Sequence, residues 1–334
     1  VGMCMGDIGT PSRILLARCG APFTYATFHH ERALAPGQLS YDQMMDTYHY
    51  ESITEQTDVF GVIADPVAHS LSPQIHNAAL MDQQIDAVYV PFRVPSDSLG
   101  QFISDVPQIG IKGLSVTIPH KESVARHVTK VDAAVKGIKA VNTLLFRDGE
   151  ILGYNTDCKA AMDSMEHALG AEGAQPSPLE GKRVFVLGAG GVARSIMYGL
   201  QQKGARTLVA SRTRERADKL AKEFGGKAID WNARHAVTID VLVNGTPIGM
   251  HPNVDETPFN RSYLKPSMLV FDTVYNPEST LLIKEARSHG CHTVTGVEMF
   301  VRQAGLQYML FTGREAPIQT MHDTLKRVTG PVKY

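Results

Sequence analysis

The sequence predicts an α/β protein of two lobes behind a short N-terminal extension, and three observations carry that prediction. Residues 182–213 read KRVFVLGAGGVARSIMYGLQQKGARTLVASRT, in which a β-rich run feeds a glycine cluster, a helical pattern and a second apolar run. That is the order of a Rossmann-type βαβ dinucleotide-binding unit. Upstream, from about 58 to 157, strand-like runs alternate with helical patterns, as in an α/β sheet domain. Within that stretch, polar clusters sit on the turns between apolar elements, where α/β sheets hold their ligands.

Composition sets the frame. The chain has 334 residues, enough for two or three domains with buried cores, with 43% hydrophobic and 20% charged residues as in a soluble globular protein. A net charge of −1 argues against nucleic acid or an anionic membrane as partner. Cys4, Cys19, Cys158 and Cys291 form no C-x-x-C pair, which fits a reduced, cytoplasmic setting. No apolar stretch approaches the roughly 18 residues of a membrane span. The N-terminus VGMCMGDIGT lacks the features of a secretory signal and an initiator Met, so the expectation is a chain that starts within a longer protein.

Taken in order, residues 1–56 are short apolar runs rich in turn residues, ending in a polar stretch from Asp42 to Thr57 suited to a linker or helix. Val59–Ile63 reads as a strand, and Ser72–Met81 as a helix with Pro73 in its first turn. Val88–Val94 is a strand pattern and Leu99–Val106 a helix. Leu114–Ile118, Val141–Phe146 and Ile151–Tyr154 are further strands. A loop rich in Ala, Gly and Pro, from Ala171 to Pro178, precedes the nucleotide unit. Strands at Val184–Leu187, Thr207–Ala210, Val241–Val243 and Leu269–Thr273 then alternate with helices.

In the glycine cluster, Gly188 can turn the chain sharply and Gly190 lets the backbone approach a pyrophosphate with no Cβ in the way. The N–H groups that open the next helix then face the anion. Position 193 is Ala, a tolerated variant of the third glycine. An NAD site usually places Asp or Glu at the end of the second strand. Here that strand ends Ala210, Ser211, Arg212, Thr213, Arg214, with no carboxylate before Glu215. A guanidinium binds phosphate oxygens bidentately and stays charged, so the pattern points to the 2′-phosphate of NADP. The structural alternative is a solvated helix start.

The polar clusters are GVIADPVAHSLSPQIHN, GLSVTIPHK, KAVNTL and GYNTD. Ser70, Ser72, Thr117 and Asn142 offer hydroxyl and amide groups suited to a polyhydroxylated ligand. Lys121 and Asp157 are the oppositely charged pair among them. Transfer of a hydride to a ketone needs a proton delivered to the carbonyl oxygen, and a lysine near an aspartate can serve. Each residue also has a plainer explanation. Ser72 before Pro73 fits an N-cap, Lys121 a surface residue, and Asp157 a cap for a helix from Lys159. His69 and His76 fit structural hydrogen bonds, and Glu298 has no assigned role. His29, His30 and the SHGCH string around Cys291 complete no zinc-like ligand set, so no metal is expected.

The four clusters, followed in order by GAGGVA and SRT, resemble the shikimate dehydrogenase family from about Asp58 to the C-terminus. VNGTPIGM at 243–250, DTVYNPESTLL at 272–282 and GVEMFVRQA at 296–304 agree. The resemblance implies catalysis by Lys121 and Asp157, and substrate contacts from Ser70, Ser72, Thr117, Asn142, Tyr275 and Gln303. It implies a cofactor loop at Gly188, Ala189, Gly190, Gly191, Val192 and Ala193, with Ser211, Arg212 and Thr213 at the 2′-phosphate. Met250, Gly296 and Met299 would border the nicotinamide. The implied domains are 58–157 plus 295–334 for catalysis and substrate, and 158–294 for NADP. The implied reaction is NADPH-dependent, reversible reduction of 3-dehydroshikimate to shikimate by a cytoplasmic monomer or homodimer. Two departures stand out: Ser115 where the family usually has Asn, and Phe300 where it usually has Leu.

Residues 1–56 resemble something else. GMCMGDIGTPSRILLARCGAPFTYATF and ALAPGQLS are similar to the C-terminal end of a type I 3-dehydroquinate dehydratase. Arg13 and Gln38 match substrate-holding residues of that family, whereas Leu34 replaces a usual hydroxyl residue. A barrel needs all eight βα units to close. This remnant is therefore expected to be inactive as a dehydratase, and loosely packed or partly disordered, from a bifunctional parent. Two rivals to the shikimate dehydrogenase reading stay open. One is a quinate dehydrogenase, against which the Ser70 and Ser72 hydroxyls count. The other is a non-catalytic sensor of NADP and metabolites, against which Lys121 and Asp157 count.

Overall fold

A computed structural model describes residues 2–29 and 33–330. The chain divides into two compact units, residues 1–154 with 304–328 and residues 155–303 with 329–334. The first opens with the short helix α1 (Thr10–Leu15), followed further on by a π-helical turn (Gln43–Thr47). A six-stranded sheet then forms from β1 (Asp58–Ala64), β2 (Ala87–Arg93), β3 (Ile111–Val116), β4 (Lys130–Val131), β5 (Thr143–Arg147) and β6 (Glu150–Tyr154). Its order is β2-β1-β3-β5-β6-β4. β1 pairs parallel with β2 and β3, β5 runs antiparallel to β3 and β6, and β4 pairs parallel with β6. Helices α2 (Ser72–Asp82) and α3 (Leu99–Ile109) connect the parallel strands, and α4 (Ala133–Ile138) precedes β5. β1 is nearly continuous apolar sequence with one half-buried residue, as a strand covered on both faces requires.

The N-terminal segment is not the loosely packed extension that its sequence predicts. Ile14, Met44, Tyr48 and Ile53 are buried in one cluster with Val59, Val88, Val90 and Leu114 of the sheet. Arg18 ties the segment down, donating to the carbonyls of Thr57 (2.8 Å) and Ile109 (3.1 Å). The physical reason is that Ile14, Met44, Tyr48 and Ile53 join the apolar cluster of the sheet, although Phe23, Phe28 and Leu34 of the same segment stay exposed. Ile14 is fully buried, so Ile14→Ala is expected to cost about 2–5 kcal/mol in a urea melt. A loss under about 0.5 kcal/mol would mean that the segment contributes no packing.

The second unit begins with α5 (Thr156–Ala168) and continues as β7 (Arg183–Leu187), α6 (Gly191–Gln202), β8 (Arg206–Ala210), α7 (Arg214–Phe224), β9 (Lys227–Ala228), β10 (Val241–Asn244), β11 (Leu269–Asp272), α8 (Leu281–Ser288) and β12 (His292–Val294). The strand order is β12-β11-β10-β7-β8-β9, every pair parallel. Counted within the sheet this is the doubly wound order 3-2-1-4-5-6, whose direction of winding reverses between β7 and β10. Helix α9 (Gly296–Thr312) contributes residues to both units, and α10 (Ile318–Thr329) follows it. Among the described residues no helix is long and apolar enough to cross a membrane.

Candidate active site

In the first unit, strand register gathers the polar clusters. Val62 lies beside Ser115, Ser115 beside Thr143, and Thr143 beside Tyr154. The loops that follow β1, β3 and β6, and the one that precedes β5, therefore leave the sheet at the same edge. Ser70 and Ser72 come from the first of these loops, Thr117 and Lys121 from the second, and Asn142 from the turn into β5.

Local bonds fix each turn. The Ser72 N–H donates to Ser70 Oγ (3.3 Å), and Ser72 is already the first residue of α2 with no capping bond from its own side chain. The N-cap position is Leu71, so Ser72 is not the cap that its place before Pro73 suggests. The Thr117 N–H donates to the Ile63 carbonyl (3.1 Å), and the His120 N–H to the Thr117 carbonyl (2.8 Å). His120 is buried with Nε2 2.7 Å from the Val94 carbonyl, which pins the loop that carries Lys121. The Lys121 carbonyl accepts from the Val141 N–H (2.7 Å), and the Val116 N–H donates to the Asn142 carbonyl (2.7 Å). Lys121 is half-buried and Asn142 buried. His69 is exposed. His76 is buried and stacks on Tyr89, and its Nε2 has no hydrogen-bond partner among the described residues, so it makes a ring contact where a hydrogen bond was expected.

The second unit holds the remaining residues. Asp157 is buried in the first turn of α5. It is not the cap of that helix: Asn155 is, its side chain accepting from the Cys158 N–H (3.2 Å). Gly188 follows β7 with φ +109°, and a Cβ there would meet the Gly245 carbonyl oxygen at 2.7 Å, so only glycine fits. Gly190 is the N-cap of α6, and nothing lies within 4 Å of where its Cβ would be. The N–H groups of Gly191, Val192 and Ala193 open the helix at the carboxyl edge of the parallel sheet, beside the reversal point. This is the place where oriented amides and the helix dipole favour an anion. Ala193 is buried close to Gly245, which allows helix and sheet to approach. At the end of β8, Arg212 and Thr213 are exposed, and Arg212 makes no hydrogen bond or ion pair among the described residues. Arg214 is instead engaged with Asp218 (2.9 Å).

Tyr275 stacks on Phe300, with centroids 4.3 Å apart and planes at 16°, and burial pushes its phenol pKa up. Gln303 donates to the Phe300 carbonyl (3.1 Å), so Phe300 organises both residues. A Cβ on Gly296 would run into the Val274 carbonyl, a packing reason for that glycine. Met250 is 46% exposed, whereas Met299 is buried within the apolar cluster of the second unit.

Sequence reasoning missed a polar lattice at the ends of β10 and β11. Asn244 donates to Asp272 (3.0 Å), which also accepts from the Val274 N–H (3.0 Å) and the Thr280 hydroxyl (2.7 Å). Burial raises the Asp272 carboxyl to about 6 against the pull of those donors. An Asp that closes the apolar run LVFD was the available signal. Glu298, without a sequence role, lies beside Arg302 (3.6 Å), and burial raises its pKa. Arg302 also grips Glu172 (2.8 Å). In the N-terminal segment, the Arg13 guanidinium contacts Met3 Sδ (3.0 Å) and Gln38 Oε1 accepts from the Leu34 N–H (2.9 Å). His30 lies outside the described residues. Among those that are described, no group of three or more His, Cys, Asp or Glu could hold a metal ion.

Four family models match the chain. They are the shikimate dehydrogenase substrate binding domain (residues 62–144), shikimate/quinate 5-dehydrogenase (171–272), the shikimate 5′-dehydrogenase C-terminal domain (296–326) and type I 3-dehydroquinase (1–55). The chain is 42% identical over 328 residues to a chloroplastic bifunctional 3-dehydroquinate dehydratase/shikimate dehydrogenase from Arabidopsis thaliana. That match covers 95% of the chain and 54% of the relative, so the chain spans about half the length of that protein. It is 36% identical to the NADP(+) shikimate dehydrogenase of Methanothermobacter thermautotrophicus, covering 83% of the chain and 98% of the relative. A crystal structure of a shikimate dehydrogenase in complex with NADP+ superposes with a TM-score of 0.78 at 34% identity, covering 84% of the chain and 98% of that structure.

Proposed function

The chain belongs to the shikimate dehydrogenase family, and from that premise we propose that it is an NADP-dependent dehydrogenase that interconverts 3-dehydroshikimate and shikimate. The observation that carries the reading is the convergence of Ser70, Ser72, Thr117, Lys121 and Asn142 on one edge of the first sheet. A ring acid with several hydroxyls needs such a set of short neutral donors and acceptors, and a reacting carbonyl needs a proton source among them.

The second unit suits the cofactor. Open space at Gly190, the amides that open α6 and the absence of a carboxylate at the end of β8 fit a pyrophosphate and a 2′-phosphate. Gly188, Ala189, Gly190, Gly191, Val192 and Ala193 would cradle the pyrophosphate, with Ser211, Arg212 and Thr213 at the 2′-phosphate. Met250, Gly296 and Met299 would border the nicotinamide. When bound, NADP(H) supplies or accepts the hydride. In the reductive direction Lys121 gives the proton that the developing alkoxide requires, and Asp157 is the second member of the catalytic pair. Ser70, Ser72, Thr117 and Asn142 orient the acid, with Tyr275 and Gln303 as further contacts. The enzyme would act as a monomer or homodimer. No disulfide joins Cys4, Cys19, Cys158 or Cys291, which fits a reducing compartment, cytoplasmic or, as named for the Arabidopsis relative, chloroplastic.

The test is a steady-state assay with shikimate or quinate as substrate and NADP or NAD as cofactor. Shikimate with NADP is expected to give the highest kcat/KM. Faster turnover of quinate would reassign the substrate, and ligand binding with no turnover of either acid would overturn the enzyme reading.

A further inference from the structure

Beneath the proposed substrate residues of the first unit runs a buried polar chain. Tyr89 on β2 is fully buried, and its backbone is clamped by Asn77, which accepts from its N–H (2.8 Å) and donates to its carbonyl (2.9 Å). Its ring stacks on His76, 4.3 Å between centroids and 3° between planes. Burial keeps that imidazole neutral, with a pKa lowered to about 3. The Tyr89 hydroxyl donates to Ser115 Oγ (2.7 Å), and Ser115 donates to Gln307 Oε1 (2.9 Å). Gln307 Nε2 donates to the Asn142 carbonyl (2.9 Å) and to Thr143 Oγ1 (3.0 Å), and the Thr143 hydroxyl donates to Asn142 Oδ1 (2.8 Å).

The direction of the chain is forced. Gln307 Oε1 can only accept, so the Ser115 proton must point to it, and the phenol must then donate to Ser115. From there the order runs to Asn142 Oδ1, which sets the orientation of that amide. Ser115 is the one link able to accept from Tyr89 and donate to Gln307 at once. An alanine there takes the acceptor from a buried phenol hydroxyl and leaves the buried Gln307 amide oxygen without its donor, the costly case for hydrogen bonds.

We propose that Ser115 is a positioning residue for the acid: held by Tyr89, it acts through Gln307 and Thr143 to fix the Asn142 amide in the geometry that binds substrate. This rests on the reading that Asn142 holds the acid.

The experiment compares wild type, Ser115→Ala, Ser115→Thr, Asn142→Ala and the Ser115→Ala/Asn142→Ala double variant, each checked for folding by thermal melting. Ser115→Ala is expected to raise KM for shikimate by about tenfold, with kcat changed by less than about threefold and KM for NADP unchanged. Ser115→Thr keeps the hydroxyl and should bring KM back to within about threefold of wild type. The double variant should raise KM by less than the product of the two single effects, because both act on one amide. A Ser115→Ala KM within about twofold of wild type, or an equal rise in KM for NADP, overturns the proposal. If Asn142→Ala leaves KM unchanged, the substrate reading itself is what fails. Should Ser115→Ala not fold, Tyr89→Phe replaces it, removing only the hydroxyl that Ser115 receives. A KM rise of about threefold supports the inference, and an unchanged KM overturns it.

Discussion

Lys121→Ala is expected to lower turnover at least about a hundredfold, the usual scale for removing a positioned general acid or base, while NADP(H) binding measured by fluorescence titration stays near normal. The argument is one of separable parts. The backbone of Lys121 is held by the Val141 N–H and by the pinned His120 loop, neither of which needs the lysine side chain. The glycine turn and Arg212 belong to the other unit. Removing the ammonium should therefore leave both the fold and the cofactor site intact. Lys121→Arg sharpens the test, because guanidinium keeps the positive charge but does not release a proton in the working range. If the lysine moves a proton, arginine should restore little. Turnover near wild type in Lys121→Ala would remove the residue from the chemistry, and strong rescue by arginine would recast it as a source of charge alone.

The elements that follow strict patterns could be read without coordinates. Four β-rich residues ahead of Gly188 gave β7, and the short apolar runs at 207–210, 241–243 and 269–273 gave strands within one or two residues. Their hydrophobicity is a local consequence of lying inside a parallel sheet, so the linear string records it. The polar clusters offered Ser70, Ser72, Thr117, Lys121 and Asn142, the resemblance added their roles, and register then accounts for why those of the first unit share an edge. Other features left no such trace. β4 has two residues and β9 two, too short for any periodicity. The packing of Ile14 and Met44 depends on which sheet surface needs cover, which the segment itself does not encode. Tyr89, Ser115 and Gln307 are far apart in sequence and each sits among apolar neighbours. Their hydrogen-bonded chain exists only once β2, β3 and α9 are side by side. Ser115 was legible merely as a departure from the family pattern. Its neighbours turn that departure into a function.

Arg212→Ala is expected to reduce kcat/KM for NADPH by about 10- to 100-fold, with NADH affected by less than about threefold. A charge-assisted, bidentate contact to phosphate is worth roughly 1.5–3 kcal/mol, and NAD has no 2′-phosphate on which to lose it. The local geometry singles out this arginine. β8 ends at Ala210, and α7 starts at Arg214. Arg212 thus lies on the short exposed connection that follows the second strand of the unit, where the adenine ribose of a dinucleotide rests in this fold. Arg214, two residues on, is already engaged by Asp218 at 2.9 Å. Arg214→Ala is therefore the matched control: it removes the same charge from the same turn but should shift the NADPH/NADH ratio by less than about threefold. High salt should weaken the Arg212 contribution in wild type, since the contact is exposed and screened. An unchanged ratio in Arg212→Ala would place the 2′-phosphate elsewhere, and an equal shift in both variants would reduce the effect to the general field of the helix start.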